Sequence, residues 1–289
     1  MANLRDIRNR IRAVKNTGKI TRAMQLVAAS KMKRAQDAAI QGRPYAELLA
    51  RLLDALLENQ PEFEHPFFEE RPVNVRGVLV ISSDRGLAGP LNSNLFREVT
   101  QLPAETKFFT VGRKIKQFIA RTHRNLEASF EVTEEARFAE LRPIVEMMID
   151  LYKKGEIDTV EVLYPKFKNT LVQVPTRETF LPLPEFHVQL TAAHEAAGIE
   201  RVQDQRDMKF EPSPEAILEQ LLDRFIKREI YQRLLDARAS EHSARMVAMK
   251  AATDNAKKLG NSLTLQYNKA RQAAITQEIL EITAAASSN

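Results

Sequence analysis

Both ends of this chain carry a heptad repeat of apolar and small residues, and that pattern limits the folds it can adopt. From Leu4 to Leu56, alternating steps of three and four residues meet only two polar side chains, Thr21 and Gln25. A period of 3.5 residues held this long predicts a helix that supercoils left-handedly against a partner helix. Pro44 predicts a kink or short break near the end of this helix. The positions of this N-terminal seam are Leu4, Ile7, Ile11, Val14, Gly18, Thr21, Gln25, Ala28, Met32, Ala35, Ala39, Gly42, Ala46, Leu49, Leu53 and Leu56.

The C-terminal segment repeats the pattern. Ser213 followed by Pro214 is typical of a helix N-terminus, and no proline occurs after it. A helix over 213–283 would be roughly 105 Å long at 1.5 Å per residue, so another element must cover its apolar stripe. The C-terminal seam consists of Leu221, Phe225, Arg228, Gln232, Leu235, Ala239, His242, Met246, Met249, Thr253, Ala256, Gly260, Leu263, Tyr267, Ala270 and Ala274, with Arg228, Gln232, His242 and Thr253 as polar interruptions.

The middle of the chain alternates between short apolar runs and helical patterns. This alternation predicts a mostly parallel sheet with helices on at least one face. The stretch 182–212, with several prolines, is interpreted as a return connection to the last helix. Strands are predicted at Val78–Ile81, Lys107–Val111, Thr159–Tyr164 and Leu171–Phe180, and helices from about Asn92, at Arg113–Thr122 and at roughly 137–153.

Because the middle of the chain returns residues near 58 and 213 to one place, the two ends are expected to pair with each other, antiparallel. The predicted fold is therefore α/β: a long antiparallel coiled coil of N- and C-terminal helices plus a small Rossmann-like α/β domain. The predicted segments are an N-terminal shaft helix at 1–58, a globular domain at 74–190 and a C-terminal shaft helix at 213–285.

The positive charge of the chain is concentrated at its N-terminus. Residues 1–36 hold ten basic residues and one acidic residue, Asp6. Such a helix is typical of a surface that binds nucleic acid, anionic lipid or an acidic protein. A transit peptide is rejected, because the helical pattern continues far past any cleavage point. Aromatic side chains for base stacking are absent from residues 1–44, which weakens the nucleic-acid interpretation without removing it.

No residue set for catalysis, a cofactor or a metal is found. The loop Asp84–Gly89 follows a predicted strand and has two interpretations, phosphate binding or a structural turn. It lacks a P-loop or dinucleotide fingerprint, and Pro90 removes a backbone donor. The five histidines show no metal-ligand spacing, and the chain contains no cysteine. The adjacent acids Glu134 and Glu135 are interpreted as solvated residues of a polar loop.

Three blocks of sequence resemble the γ subunit family of the F-type ATP synthase. The first is Ile20–Met32, and the second runs from Ser83 to Asn94. The third and longest runs from Ser240 to Ile279 and includes Ser240-Glu241-His242-Ser243-Ala244-Arg245-Met246. Their order and spacing match the family over essentially the whole chain.

The resemblance implies a non-catalytic rotor shaft of a proton-translocating bacterial enzyme, which couples rotation of the c-subunit ring to ATP synthesis. Its implied partners are the α and β subunits of the catalytic hexamer, the ε subunit and the c ring. It would lie peripherally on the cytoplasmic face of the inner membrane, contact the membrane only through the c ring, and bind no nucleic acid. The family's shaft positions that face the β-subunit loops match Met24, Arg245, Arg271, Gln272 and Thr276. Its foot positions that face the c ring match Phe210 and Glu211.

Two hypotheses of other classes stay open at this point. A basic coiled coil that binds nucleic acid would show DNA affinity with a steep dependence on salt. A small-ligand α/β enzyme with helical arms would need a convergent polar pocket within residues 74–185.

Overall fold

A computed structural model describes residues 4–58, 65–183 and 213–287. The chain separates into two compact units, the first formed by residues 1–30 with 245–289 and the second by residues 31–244. The helices are α1 (Leu4–Gln41), α2 (Arg43–Glu58), α3 (Leu91–Gln101), α4 (Arg113–Arg121), α5 (Phe138–Lys153) and α6 (Pro214–Ser287). The strands are β1 (Arg76–Ile81), β2 (Lys107–Val111), β3 (Leu126–Phe130), β4 (Thr159–Phe167) and β5 (Gln173–Leu181).

The predicted fold class is confirmed: long helices at both ends of the chain accompany a small, mainly parallel sheet. The break expected near Pro44 separates α1 from α2, and the Ser213 hydroxyl accepts a hydrogen bond from the Ala216 N–H (3.3 Å) at the start of α6. Strand β3 was not predicted. It is short, lies at the sheet edge and is partly exposed along its length, so it lacks the apolar run that marks a buried strand.

The sheet of the second unit has the strand order β3-β2-β1-β4-β5. Strand β1 pairs in parallel with both β2 and β4, and β5 joins β4 antiparallel. From β1 the chain adds β2 and then β3 on one side of the sheet, and it then adds β4 and β5 on the other side of β1. A topological switch point therefore lies between β1 and β4, at the carboxyl ends of the strands.

Successive side chains of β1 point to opposite faces of the sheet and pack in two different hydrophobic cores. Val78 and Val80 pack with residues of α3 and α4 on one face of the sheet. Leu79 and Ile81 pack on the other face with residues of α2, α5 and the first part of α6. Helix residues of that second core include Leu53, Leu56, Ile144, Met148, Leu222, Ile226, Ile230 and Leu234.

Parts of both terminal helices thus belong to the core of the second unit. Residues of α2 and of α6 before Arg245 cover the sheet, while later residues of α6 belong to the first unit. The segment boundaries predicted at 58, 74, 190 and 213 remain predictions about how the chain is divided in function. Most of the predicted return connection, residues 184–212, lies outside the described residues.

An ion-pair network ties α6 to the edge strand β5. The Arg233 Nε donates to Glu178 (2.6 Å), and Glu178 also accepts hydrogen bonds from the Tyr164 hydroxyl (2.8 Å) and the Lys166 ammonium (3.1 Å). Burial disfavours the charged form of Glu178, but the charge and hydrogen bond of Arg233, with those of Tyr164 and Lys166, outweigh it and lower the pKa of this carboxyl. The pKa of the Tyr164 hydroxyl is raised, chiefly because it is buried.

We predict that protonating Glu178 destabilises the second unit. Its pKa is lower in the folded chain than in the unfolded chain, so its contribution is present above the unfolded value and is lost as the pH falls through the folded value. Replacing it, Glu178→Gln, should lower the free energy of unfolding at pH 7 by about 1–3 kcal/mol and flatten the decline of stability in acid. Denaturant unfolding at pH 7 and at acid pH measures both effects.

The matched control is Glu156→Gln. Glu156 pairs with Lys107 at 3.4 Å on an exposed site, and exposed pairs contribute at most about 1 kcal/mol. If both variants behave alike, Glu178 has no special role in holding α6 to the sheet.

Candidate functional site

The first unit is an antiparallel pair formed by the start of α1 and the end of α6. The Thr21 and Thr253 hydroxyls lie 2.7 Å apart, and Arg8 donates to the Tyr267 hydroxyl (2.7 Å). A Cβ added at Gly18 would lie 3.4 Å from the Cβ of Ala256. In each case the two residue numbers add up to about 274, so one continuous register relates the helices. The predicted antiparallel pairing of the two ends is confirmed within this unit.

The buried and half-buried positions of this pair are those of the predicted seams. On α1 they recur from Ile7 to Ala28 at three- and four-residue steps, and on α6 they recur from Met246 to Ala274 in the same way. Small residues in the middle, such as Gly18, Ala256 and Gly260, let the backbones approach closely. The Thr21–Thr253 pair places two polar groups in the seam. One hydroxyl donates to the other, and the accepting hydroxyl can donate to a carbonyl of its own helix, that of Gly18 or of Met249. That explains how the interruption at Thr253 is tolerated.

The outer surface of the pair is strongly basic. Residues 1–30 and 245–289 hold thirteen basic and four acidic residues, whereas the whole chain has a net charge of +5. A groove of about 1140 Å³ runs along the pair. Its walls carry the apolar side chains Leu26 and Leu265, and all of its charged lining residues are cations: Lys15, Lys19, Arg22 and Lys257.

Large apolar side chains are exposed outside the seam, and sequence reasoning did not single them out. Each is at least 46% exposed. Heptad periodicity identifies the seam positions and does not identify these residues. An exposed apolar residue outside the seam is nevertheless a sign of a surface that binds a partner. In the first unit they are Ile20, Leu26, Val27, Leu259, Leu265, Ile275, Ile279, Leu280 and Ile282.

The predicted shaft positions fall into two groups along the first unit. Met24 and Arg245 are half-buried, and the register of the pair sets Met24 opposite residue 250, about 8 Å along the helix from Arg245 at 1.5 Å per residue. Arg271, Gln272 and Thr276 are exposed neighbours further along α6, where the Thr276 hydroxyl donates to the Gln272 carbonyl (3.0 Å). Met24 and Arg245 thus lie in one part of the first unit, and the other three residues lie together in another part of it.

The predicted foot positions Phe210 and Glu211 lie outside the described residues.

In the second unit, α6 fills the crevice in which doubly wound sheets bind ligands. That crevice lies outside the carboxyl ends of the strands, at the switch point. The buried Arg238 donates to the Val132 carbonyl after β3 (2.9 Å) and faces Asp84 after β1 (3.6 Å). The buried Ser243 donates to the Thr170 carbonyl after β4 (2.8 Å). Side chains of one helix thus contact the loops that follow three of the strands.

The polar groups of the glycine-containing loop after β1 form hydrogen bonds within the loop and with the start of α4. The Ser83 hydroxyl donates to the Arg85 carbonyl (2.8 Å), and Asp84 accepts from the Arg113 N–H (3.0 Å) at the start of α4. These contacts support the structural-turn interpretation over phosphate binding. Within 4–58, 65–183 and 213–287, no group of three or more metal-ligating side chains could hold an ion.

Glu134 is exposed in a loop, as its interpretation as a solvated acid predicts, but it also has partners far away along the chain. Its carboxylate pairs with the Lys31 ammonium and lies 3.9 Å from the Nε2 of the buried His242. Burial opposes ionisation of Glu134, but the hydrogen bond and charge of Lys31 outweigh it and lower the pKa. The sequence placed Glu134 in a loop and carried no signal for partners so distant along the chain.

A family model described as ATP synthase matches residues 3–288 of this chain. The ATP synthase gamma chain of Opitutus terrae is 54% identical over 288 residues, which cover 99% of this chain and 98% of that protein. The gamma chain of Methylacidiphilum infernorum is 43% identical with the same coverage. The chain belongs to the ATP synthase gamma chain family.

The fold agrees with that membership in the gamma chain family. A chain in the structure of the Tetrahymena thermophila mitochondrial ATP synthase, central stalk and c ring, aligns with a TM-score of 0.60 at 26% identity. The alignment covers 81% of this chain and 99% of that one. Of the helices in the described residues, none combines the length and apolar character needed to cross a membrane.

The pairing of the gamma-type terminal helices can be tested by cross-linking, because the chain has no native cysteine. The double substitution Gly18→Cys/Ala256→Cys should form a disulfide readily, since the Cβ atoms would lie 3.4 Å apart and disulfides need about 3.5–4.5 Å. Non-reducing electrophoresis after mild oxidation detects it.

The control is Gly18→Cys/Leu263→Cys, which moves one cysteine about 10 Å along α6 at 1.5 Å per residue. It keeps both cysteines on the seam and should stay reduced. Equal cross-linking of the two variants would contradict a single fixed register.

Proposed function

We propose that this chain is the central-stalk rotor subunit of an F-type ATP synthase, itself non-catalytic. It would transmit rotation of the membrane c ring to the catalytic β subunits and couple ATP synthesis to proton flow. The observation that carries the proposal is the single-register antiparallel pair of terminal helices, in a chain that matches gamma chains over its full length. Two helices packed along a close seam resist bending and twisting better than either helix alone.

The surface of the pair suits a shaft enclosed by partners. Exposed apolar residues outside the seam, such as Ile20 and Leu265, favour a partner that shields them from water. The excess of basic side chains favours acidic partner segments. Because the contacts differ around the pair, rotation would offer each surrounding subunit a different surface. Reversing a two-state population from 1:99 to 99:1 takes about 5.5 kcal/mol of differential binding, so an uneven surface is what such a mechanism needs.

The proposed partners are the α and β subunits of the catalytic hexamer, the ε subunit and the c ring. The Tetrahymena relative in the comparison belongs to a central stalk with its c ring, which supports this assignment. We further propose a peripheral position at the cytoplasmic face of the bacterial inner membrane, with the c ring as the contact to the membrane.

Within this function, Met24, Arg245, Arg271, Gln272 and Thr276 are proposed to contact the β-subunit loops. The exposure of Arg271, Gln272 and Thr276 leaves them available to a partner. Phe210 and Glu211 are proposed to contact the c ring on the strength of the sequence resemblance.

The decisive experiment is reconstitution with the α and β subunits of the same source. ATP hydrolysis should drive rotation of a bead attached to this chain, and the isolated chain should hydrolyse no ATP. Sustained rotation-linked catalysis by α and β in its absence, or failure of the chain to assemble with them, would contradict the proposal.

A second experiment tests the contact residues in the complete membrane complex. The double substitution Arg271→Ala/Gln272→Ala should reduce ATP-driven proton pumping in inverted vesicles roughly fivefold or more, because a charged contact contributes about 1.5–3 kcal/mol. The control is Lys116→Ala, which removes an exposed cation from α4. If pumping by the double variant equals that of the control, these two residues do not transmit torque.

A further inference from the structure

A second, smaller cavity lies in the second unit, among α2, α5 and the first part of α6. It has a volume of about 560 Å³ and is not part of the helix pair described above. Four of its seven lining residues are basic. The lining consists of Tyr45, Phe138, Arg142, Asp223, Arg224, Lys227 and Arg228.

The acids near this cavity are already engaged by two of its four cations. Lys227 donates to Asp223 (2.6 Å) and to Glu146 (2.9 Å), and Arg142 also donates to Glu146 (2.8 Å). Hydrogen bonds from Arg142 and then from Lys227 lower the pKa of Glu146, so this carboxylate is ionised and shared. Among the seven lining residues, one acid, Asp223, thus accompanies four cations.

Arg224 and Arg228 are the cations left over. Across the described residues, neither forms an ion pair with a carboxylate. The Nε–H of Arg228 is also buried with no hydrogen-bond acceptor in that part of the chain. A buried donor without an acceptor is unfavourable, and an oxyanion bound to this guanidinium would offset part of that penalty.

The position of Arg228 is held by its surroundings. Its guanidinium lies 5.3 Å from the centre of the Tyr231 ring, and a Cβ at Gly42 would collide with it. Tyr231 in turn packs edge-on against Phe138 of the cavity wall, with ring centres 5.5 Å apart. The arginine that interrupts the C-terminal seam is thus packed at the break between α1 and α2, with its head group at a basic cavity.

We propose that this cavity is a binding site for a phosphate-type oxyanion. A guanidinium offers several N–H donors in a plane, which suits the oxygens of phosphate, and the uncompensated charge of Arg224 and Arg228 favours a dianion. Tyr45, from α2, also lines the cavity and carries a hydroxyl group. The cavity is large enough for a phosphate ester, so the oxyanion is either free in solution or the headgroup of an anionic lipid. The site does not depend on the proposed rotor function.

Titration of the full chain with inorganic phosphate at constant ionic strength tests the proposal by calorimetry. Arg224→Gln and Arg228→Gln should each weaken binding about tenfold or more, since a hydrogen bond to a charged group contributes about 1.5–3 kcal/mol. The matched control Arg97→Gln removes an exposed arginine on α3 and should change the affinity less than about twofold.

A direct readout keeps the test valid if Arg228→Gln disturbs folding. The side-chain Nε–H resonance of Arg228, assigned by its loss in that variant, should shift when phosphate is added to the wild-type chain. Co-sedimentation with phosphatidylcholine vesicles, with and without phosphatidic acid, whose phosphomonoester headgroup can carry two negative charges, separates the two sources. Binding to the anionic vesicles that Arg224→Gln weakens and Arg97→Gln does not would identify a lipid headgroup, whereas a response to free phosphate alone would identify a soluble oxyanion.

Three outcomes would overturn the proposal. The first is the absence of binding to both phosphate and anionic vesicles. The second is an equal loss of affinity in the Arg97→Gln control, which would show a general effect of net charge. The third is binding of an acidic peptide at this cavity without binding of phosphate, which would make it a protein interface.

Discussion

The structure depends on one constraint: a helix of 74 residues must have its apolar stripe covered along its length. Helix α6 meets this requirement over most of its length by contributing to two cores, whereas Ile275, Ile279 and Ile282 in its last turns stay exposed. Its early residues, such as Leu222 and Ile230, are fully buried against the sheet with α2 and α5. Its later residues, from Met246 to Ala274, pack against α1 in the first unit. The polar segment around Arg238 and Ser243 lies between these two stretches of sequence and contacts the loops at the carboxyl ends of the strands.

That polar segment occupies the edge of the Rossmann-like sheet at which folds of this type bind ligands. Doubly wound sheets bind ligands outside the carboxyl ends of their strands because loops there diverge at the switch point. In this chain Arg238 bonds to one of those loops and faces another, and Ser243 bonds to a third. These loops thus hold part of a long helix at the edge of the sheet where related folds bind ligands. Fold alone would have been a poor guide to function.

The first unit shows how a close helix pair can be specified with few large residues. Gly18 and Gly260 bring the backbones together, and the mutual hydrogen bond of Thr21 and Thr253 favours one register over its neighbours. Large apolar residues such as Leu26 and Leu265 remain outside the seam, where they are available to partner subunits. Stability of the pair and its proposed contacts with other subunits therefore use different faces of the same helices.

The sequence by itself determined the seams and the mainly parallel sheet, because these follow from local periodicity and from the alternation of strands with helices. It also determined the antiparallel pairing, because the middle of the chain returns its two ends to one place. Val14, Gly18 and Thr21 could be placed on one stripe by counting. The family resemblance added the proposed contact positions, which counting could not supply, since Arg271 and Gln272 belong to no seam.

Only the tertiary structure decided what depends on residues far apart in sequence. It showed that Glu134 pairs with Lys31 and that Arg238 donates a hydrogen bond to the loop after β3. It also showed that Arg228 lies beside Gly42 and lines a basic cavity. The edge strand β3 was not predicted, because its sequence has no clear alternation or run of apolar residues. Its position in the sheet is set by its parallel pairing with β2. Such contacts arise from packing between elements, and a helical period carries no information about which loop or helix will face a given side chain.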